Sequence, residues 1–184
     1  MMIPTGEATI GPFFPPRYVD AGANDLTRLD DRKAEGEVIE IAGVVRQEDG
    51  EPLCNLVVEI WQADAKGIYR HPADPRHREA DPRFLGWGRA ATGKEGRYAF
   101  RTLRPGAPQG RARHVNFMLM FSGLMRILKT AMYFPGEQAN DADPVLAAVP
   151  AARRALLIAR EEAPGRYRFD LKLRGTHETP FFDD

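Results

Sequence analysis

The dominant pattern along the chain is alternation of apolar and polar side chains. In residues 166–173, Tyr167, Phe169, Leu171 and Leu173 fall on one side, and Arg168, Asp170 and Lys172 on the other. Successive side chains of a strand point to opposite faces, so this spacing predicts a half-buried strand with one wet face. Residues 114–121 behave the same way: Val115, Phe117, Leu119 and Phe121 share one face, and His114, Asn116, Met118 and Met120 share the other. Residues 97–103 carry Tyr98 and Phe100 two apart, after a Lys94-Glu95-Gly96 turn. Residues 38–46 and 56–62 are rich in β-branched side chains and flank Glu48-Asp49-Gly50-Glu51-Pro52, whose Asp-Gly pair is a turn signal. Residues 124–134 have a mixed pattern and are read as one further strand. A single short helix is expected in the C-terminal half. Pro150 opens it, because the first helical turn has no use for that N–H. Ala152, Ala155, Leu156 and Ala159 form its apolar stripe, Arg153, Arg154 and Arg160 lie outside the stripe, and Pro164-Gly165 ends it. Many short strands with frequent turns predict a mainly β fold, a two-layer antiparallel β-sandwich with long loops. The longest loop, residues 69–86, is rich in Pro, Arg and Asp and has no periodicity; loops of that length are often functional.

Composition narrows the partners. The 184 residues fit one domain, and Lys+Arg 26 against Asp+Glu 26 gives no broad electrostatic reason to bind nucleic acid or an anionic membrane. No apolar run approaches the roughly 20 residues that a membrane helix needs. The first residues, Met1 to Glu7, lack a basic start followed by an apolar stretch, so no signal peptide is expected and the simplest location is cytoplasmic. The lone cysteine, Cys54, rules out an intramolecular disulfide and argues against a cysteine-based zinc site. It also has no histidine near it in sequence, so no nucleophile–base pair is visible.

Three segments in order carry a resemblance. They are Thr9-Ile10-Gly11-Pro12-Phe13-Phe14; Gly50-Glu51-Pro52-Leu53 followed by Val58-Glu59-Ile60-Trp61-Gln62-Ala63-Asp64 and Gly67-Ile68-Tyr69; and Gly96-Arg97-Tyr98-Ala99-Phe100-Arg101-Thr102 followed by Arg104-Pro105-Gly106 and His114-Val115-Asn116. Together they resemble the intradiol ring-cleavage dioxygenases, enzymes that open catechols between the two hydroxyls. The tail, from Tyr167-Arg168-Phe169-Asp170 to Thr179-Pro180-Phe181-Phe182, is similar to the protocatechuate 3,4-dioxygenase branch. The resemblance implies one β-sandwich domain over residues 1–184, with residues 1–36 an arm that contacts a partner and its pocket. It also implies a ferric ion held by two tyrosines and two histidines, since anionic phenolate oxygens stabilise hard Fe(III).

At the positions that the resemblance singles out, donors are missing. His114 stands where the first ligand histidine belongs, but two residues on is Asn116. Residues 104–110 contain no tyrosine, and neither do residues 71–77, where the earlier ligand tyrosine is expected a few positions after Tyr69. On this reading three of the four donors are absent, and one imidazole does not make a metal site. The pattern resembles the α type of chain in that branch, which has no iron and packs against a homologous iron-bearing β chain. No catalytic and no metal-binding residue is therefore assigned here; Fe(III) is expected on the β partner, in a higher-order assembly of αβ units acting in aromatic catabolism of the β-ketoadipate type. The substrates implied are a catechol and dioxygen, and the product a carboxy-cis,cis-muconate-type diacid.

Substrate-binding candidates follow from the same resemblance. Thr9, Ile10, Gly11 and Pro12 are expected to reach the substituent of the catechol, where a hydroxyl and loop N–H groups suit a carboxylate. Where the α type carries an arginine, this chain has Ser122, with Arg126 four residues later. A charge-assisted hydrogen bond contributes roughly 1.5–3 kcal/mol against about 1 for a neutral one, so the preferred catechol is expected to differ from plain protocatechuate. The competing reading is a β-sandwich that binds a small aromatic or a protein without catalysis. His71 and His77 read as solvated loop residues, Trp61 as core or interface, Trp87 as loop packing, and Met118, Met120, Met125 and Met132 as adaptable core or subunit interface.

Overall fold

The computed structural model describes residues 22–29, 32–122, 124 and 126–182. Thr9, Ile10, Gly11 and Pro12 lie outside the described residues. Two small strands, β1 (Arg28–Leu29) and β2 (Arg32–Lys33), form a hairpin ahead of the main body. One layer is built on β3 (Val38–Arg46), which pairs antiparallel with β6 (Arg97–Leu103) along one edge. Its other edge carries β10 (Arg166–Arg168) and then β11 (Leu171–Lys172), both parallel to it, and β9 (Arg160–Ala163) pairs antiparallel with β10. The second layer is wholly antiparallel, in the order β5 (Trp87–Ala91), β4 (Val57–Trp61), β7 (His114–Met120), β8 (Leu128–Tyr133).

Period-two alternation places the core between the layers. Ile39, Ile41, Val45, Tyr98 and Phe100 face it from the first layer; Val58, Ile60, Val115, Phe117 and Leu119 face it from the second. Phe117 sits at the centre. Its ring meets Tyr98 at 6.0 Å, Phe100 at 6.5 Å and Phe169 at 5.2 Å between centroids, so one side chain joins the two layers. Gln62, 1 % exposed, ties the layers with polar bonds: its amide donates to the Leu103 carbonyl at 2.9 Å and accepts from the Thr102 hydroxyl at 2.8 Å.

The sandwich and its main strands match the sequence expectation; four local features differ. Residues 166–173 form two strands with a break between them. The Asp170 carboxylate accepts from the Val44 N–H at 2.9 Å, taking the place of a ladder bond, and the Tyr98 hydroxyl donates to the Phe169 carbonyl. That carbonyl lies so close to Gly43 that any side chain there would collide with it. The single helix opening at Pro150 is instead two short ones, α1 (Pro144–Ala148) and α2 (Ala151–Arg154), followed by a 3-10 turn over Ala155–Leu157. Asp143 caps α1 through the Val145 and Leu146 N–H groups, a signal that the apolar stripe did not carry. Residues 160–163 are a strand, and Pro164-Gly165 is a hairpin turn with Gly165 at φ 72°. Trp87, expected in a loop, begins β5.

Truncating Phe117 to Ala should cost about 3–5 kcal/mol of stability, because the cavity opens between both layers at once. Urea unfolding would measure this as a lower midpoint with an unchanged slope.

Candidate functional site

The site forms on the outer face of the second layer, where β4 and β7 end side by side. Trp61 pairs with Asn116, Asn116 with Ala131, and His114 with Tyr133, so all of these share one face. The loop after β4 folds back over them. Its turn is organised by Asp64, whose Oδ1 accepts from the Lys66 and Ile68 N–H groups at 2.9 and 3.0 Å and whose Oδ2 accepts from Asp81 at 2.9 Å. Gly67, at φ 77°, crosses the backbone at Gly106 and Ala107 so closely that a Cβ at Gly67 or Gly106 would strike the other chain segment. Asp74 then accepts from the Tyr69 N–H at 3.0 Å and fixes the outgoing chain. These contacts aim Tyr69 back at β7.

The Tyr69 hydroxyl lies 3.0 Å from His114 Nε2 and 3.1 Å from Asn116 Nδ2. Asn116 Nδ2 also donates to the Trp61 carbonyl at 3.0 Å, and His114 Nδ1 lies 2.8 Å from the Ala112 carbonyl. The Tyr69 ring packs on Trp61 at 4.8 Å between centroids, and His71 meets the edge of Trp61 at 5.7 Å. Burial pushes the His114 imidazole below its ordinary value, against the pull of its bond to Ala112. Burial also raises the Tyr69 phenol, although the Asn116 hydrogen bond pulls the other way. Both groups are therefore neutral at pH 7.

Two clefts meet at this cluster. One, of about 360 Å³, has Trp61, Tyr69, His71, Arg76, Pro108 and Arg111 among its walls. The other, of about 630 Å³, lies between Asn116, Arg111, the α1–α2 region and Phe181-Phe182. Arg111, at their junction, is pinned: its Nε donates to Asp143 at 2.8 Å and its Nη2 to the Tyr133 hydroxyl at 2.8 Å. Tyr133 in turn donates to Asp143 at 3.0 Å, and the Ala112 N–H donates to the same carboxylate at 2.8 Å. Burial would raise the Asp143 carboxyl, but Arg111 and the N–H groups of Leu146 and Ala112 outweigh it and hold the group at about 2.

The Dioxygenase family profile (Dioxygenase_C) matches residues 10–175. The chain belongs to the intradiol dioxygenase family. It is 41% identical over 173 residues to the protocatechuate 3,4-dioxygenase beta chain of Burkholderia cepacia, covering 85% of this chain and 74% of that one. It is 37% identical over 193 residues to the alpha chain from the same organism, covering 97% and 96%. Among solved structures, the dioxygenase domain of a dioxygenase–carbohydrate-binding fusion from Streptomyces sp. SirexAA-E superposes with a TM-score of 0.64 at 28% identity, covering 95% of this chain and all of that one, 100%. The 3-chlorocatechol 1,2-dioxygenase of Rhodococcus opacus 1CP, 23% identical, shares the fold with a TM-score of 0.62 over 91% of this chain and 71% of that one.

The geometry adds one residue to the site. Tyr69, which sequence reading did not place at the site, reaches His114 with its hydroxyl. A phenol and an imidazole thus stand together, rather than the imidazole alone. The signal was present in Gly67-Ile68-Tyr69, but the sharp turn over Asp64 that brings the ring back was not legible from spacing. The set still does not fit a resident ferric ion. Asn116 presents an amide N–H where a second imidazole is required, and residues 104–110 supply no second phenol. Among the described residues, no group of three or more His, Cys, Asp and Glu side chains is placed to hold a metal. Ser122 is half-buried in the turn after β7, and Arg126 is exposed before β8. β7 spans roughly 20 Å between His114 and that turn, so Ser122 and Arg126 are not part of the Tyr69 cluster.

Asp143 makes this region acid-sensitive. Its folded value of about 2 lies below the ordinary 3.8, so its contribution is full above the ordinary value and is lost as pH falls from 3.8 towards 2. That contribution is on the order of 2 kcal/mol. The stability gap between the native chain and Asp143→Asn, from urea unfolding, should therefore be widest above about pH 4 and shrink below it.

Proposed function

We propose that this chain is the non-iron α-type subunit of a protocatechuate 3,4-dioxygenase-type enzyme, completing and shaping a catechol pocket whose iron sits on a homologous β-type partner. The observation that carries this is the Tyr69–Asn116–His114 cluster. It keeps the scaffold of a metal pocket but closes its donors on one another. The higher identity to a beta chain does not decide the role, because iron binding rests on a few side chains and not on the average residue. End-to-end agreement with an alpha chain, 97% of this chain against 96% of that one, supports the same reading. The reaction proposed for the assembled enzyme is insertion of both atoms of dioxygen into a catechol to give a muconate-type diacid, in aromatic catabolism of the β-ketoadipate type. In it this chain binds and orients the ring substituent, through Thr9, Ile10, Gly11 and Pro12 of the 1–36 arm and through Ser122 and Arg126.

The described part of that arm is anchored on its own domain. Leu26 is buried, its N–H donates to the Arg101 carbonyl at 2.8 Å, and Arg101 Nη1 donates to Thr27 at 2.7 Å. The described base of the arm is thereby fixed against β6. No helix among the described residues is long and apolar enough to cross a membrane, and a cytoplasmic location belongs to this proposal.

Expressed alone, the chain should be colourless and inactive; co-expressed with a ligand-complete homologue, it should co-purify as a coloured, active complex. Stoichiometric iron on this polypeptide alone, by metal analysis, would sink the proposal. In the complex, Ser122→Arg should shift relative kcat/KM towards protocatechuate by roughly tenfold, the worth of one charge-assisted hydrogen bond. Unchanged relative turnover of differently substituted catechols would remove Ser122 from the pocket.

A further inference from the structure

The hydrogen-bonded cluster beneath the clefts begins and ends on backbone carbonyls, those of Trp61 and Ala112. A carbonyl oxygen can only accept. The Asn116 atom 3.0 Å from the Trp61 carbonyl must therefore be the amide nitrogen, which settles the orientation of the amide. Its second hydrogen then points to the Tyr69 oxygen, 3.1 Å away. At the other end, the His114 nitrogen 2.8 Å from the Ala112 carbonyl must be Nδ1–H, which leaves Nε2 with a lone pair. The Tyr69 hydroxyl accordingly donates to Nε2 at 3.0 Å. Only one proton order satisfies every member of the chain, running from Asn116 through Tyr69 to His114 and ending on Ala112.

We propose that Asn116 closes this pocket to a metal ion, by holding Tyr69 as the hydrogen-bond donor that occupies the His114 lone pair. A cation between Tyr69 and His114 would meet an N–H dipole from Asn116 with its positive end inward. It would also break the Tyr69–His114 bond while leaving the amide hydrogen without its acceptor, a costly outcome for a half-buried group. Backbone placement is not the obstacle. Residues 114 and 116 share one face of β7, and Tyr69 is already aimed between them by Asp64 and Asp74. An imidazole at 116 would supply a second lone pair at that face and a site of two imidazoles and one phenolate. That set suits a transition metal ion, whereas an amide N–H does not. The inference rests on the reading that iron is not resident on this chain, but its variant arm tests Asn116 alone.

The test uses the full chain, dialysed against Fe(II) without oxygen, then exposed to air and freed of loose metal. Iron content and the visible phenolate-to-Fe(III) absorption are read together. Asn116→His should retain iron at least about tenfold better than the native chain, the scale on which changes around a site alter metal affinity. The colour should vanish when Tyr69→Phe is added. A folded Asn116→His chain that gains no iron would overturn the role of Asn116 and leave the α-type reading standing. A native chain that holds stoichiometric coloured iron would overturn both. Should Asn116→His fail to fold, nitrogen NMR of the native His114 ring decides the proton order. An Nδ1–H tautomer with Nε2 unprotonated at neutral pH supports it, and an Nε2–H tautomer overturns it.

Discussion

The buried carboxylate of Asp64, 3 % exposed, is the constraint on which the site depends. Its two oxygens hold the turn after β4 and the chain at Asp81, and its carbonyl accepts from Gly67 at 3.0 Å and from Gly106 at 2.8 Å. Three segments far apart in sequence are thereby fixed to the end of one strand. A buried carboxylate is tolerated because backbone N–H groups meet both of its oxygens; without them its desolvation would be prohibitive. Tyr69 owes its return towards β7 to this turn. The Val-Glu-Ile-Trp-Gln-Ala-Asp run acquires a physical meaning from it. Glu59 is met on the outer face by Arg89 and Trp87, Trp61 walls the cleft, Gln62 joins the layers, and Asp64 sets the loop.

Around that turn, buried and half-buried polar side chains satisfy one another. Tyr69, His114 and Asn116 would each be costly if left unpaired beneath a loop. Hydrogen bonds in series neutralise that cost without any charge, and burial keeps both ring groups in their neutral forms. The neighbouring cluster follows the opposite logic. Arg111 and Asp143 stay charged, with Tyr133 and the α1 N-terminus completing the carboxylate's partners. One salt bridge therefore caps a helix, steadies the chain at Ala112 just before β7 and lies between the clefts.

The C-terminal segment contributes to the same region. The Thr130 hydroxyl donates to the Pro180 carbonyl at 2.8 Å, and the Phe182 N–H donates to the Lys129 carbonyl at 2.8 Å, so the tail lies along β8. Phe181 and Phe182 then close the larger cleft opposite α1 and α2. A β-sheet edge with free N–H and C=O groups is a liability, and this tail covers part of it.

Alternation and β-branched content made the main strands legible: 97–103, 114–121 and 38–46 are near-complete strands, because burial of one face is encoded residue by residue. The weaker pattern at 87–91 was hidden by Gly86 and Gly88, and Gly88 is small because Leu26 packs against its backbone, a contact made by distant residues. The helices were misplaced since their start is set by Asp143, whose partners include Arg111 and Ala112 from another loop. The family could be read from the chain itself. That Tyr69 meets His114 could not, because the distance between them is decided by a turn whose hydrogen bonds come from residues 81 and 106. Spacing reports what is near along a strand; only the folded chain brings a loop donor to a strand acceptor.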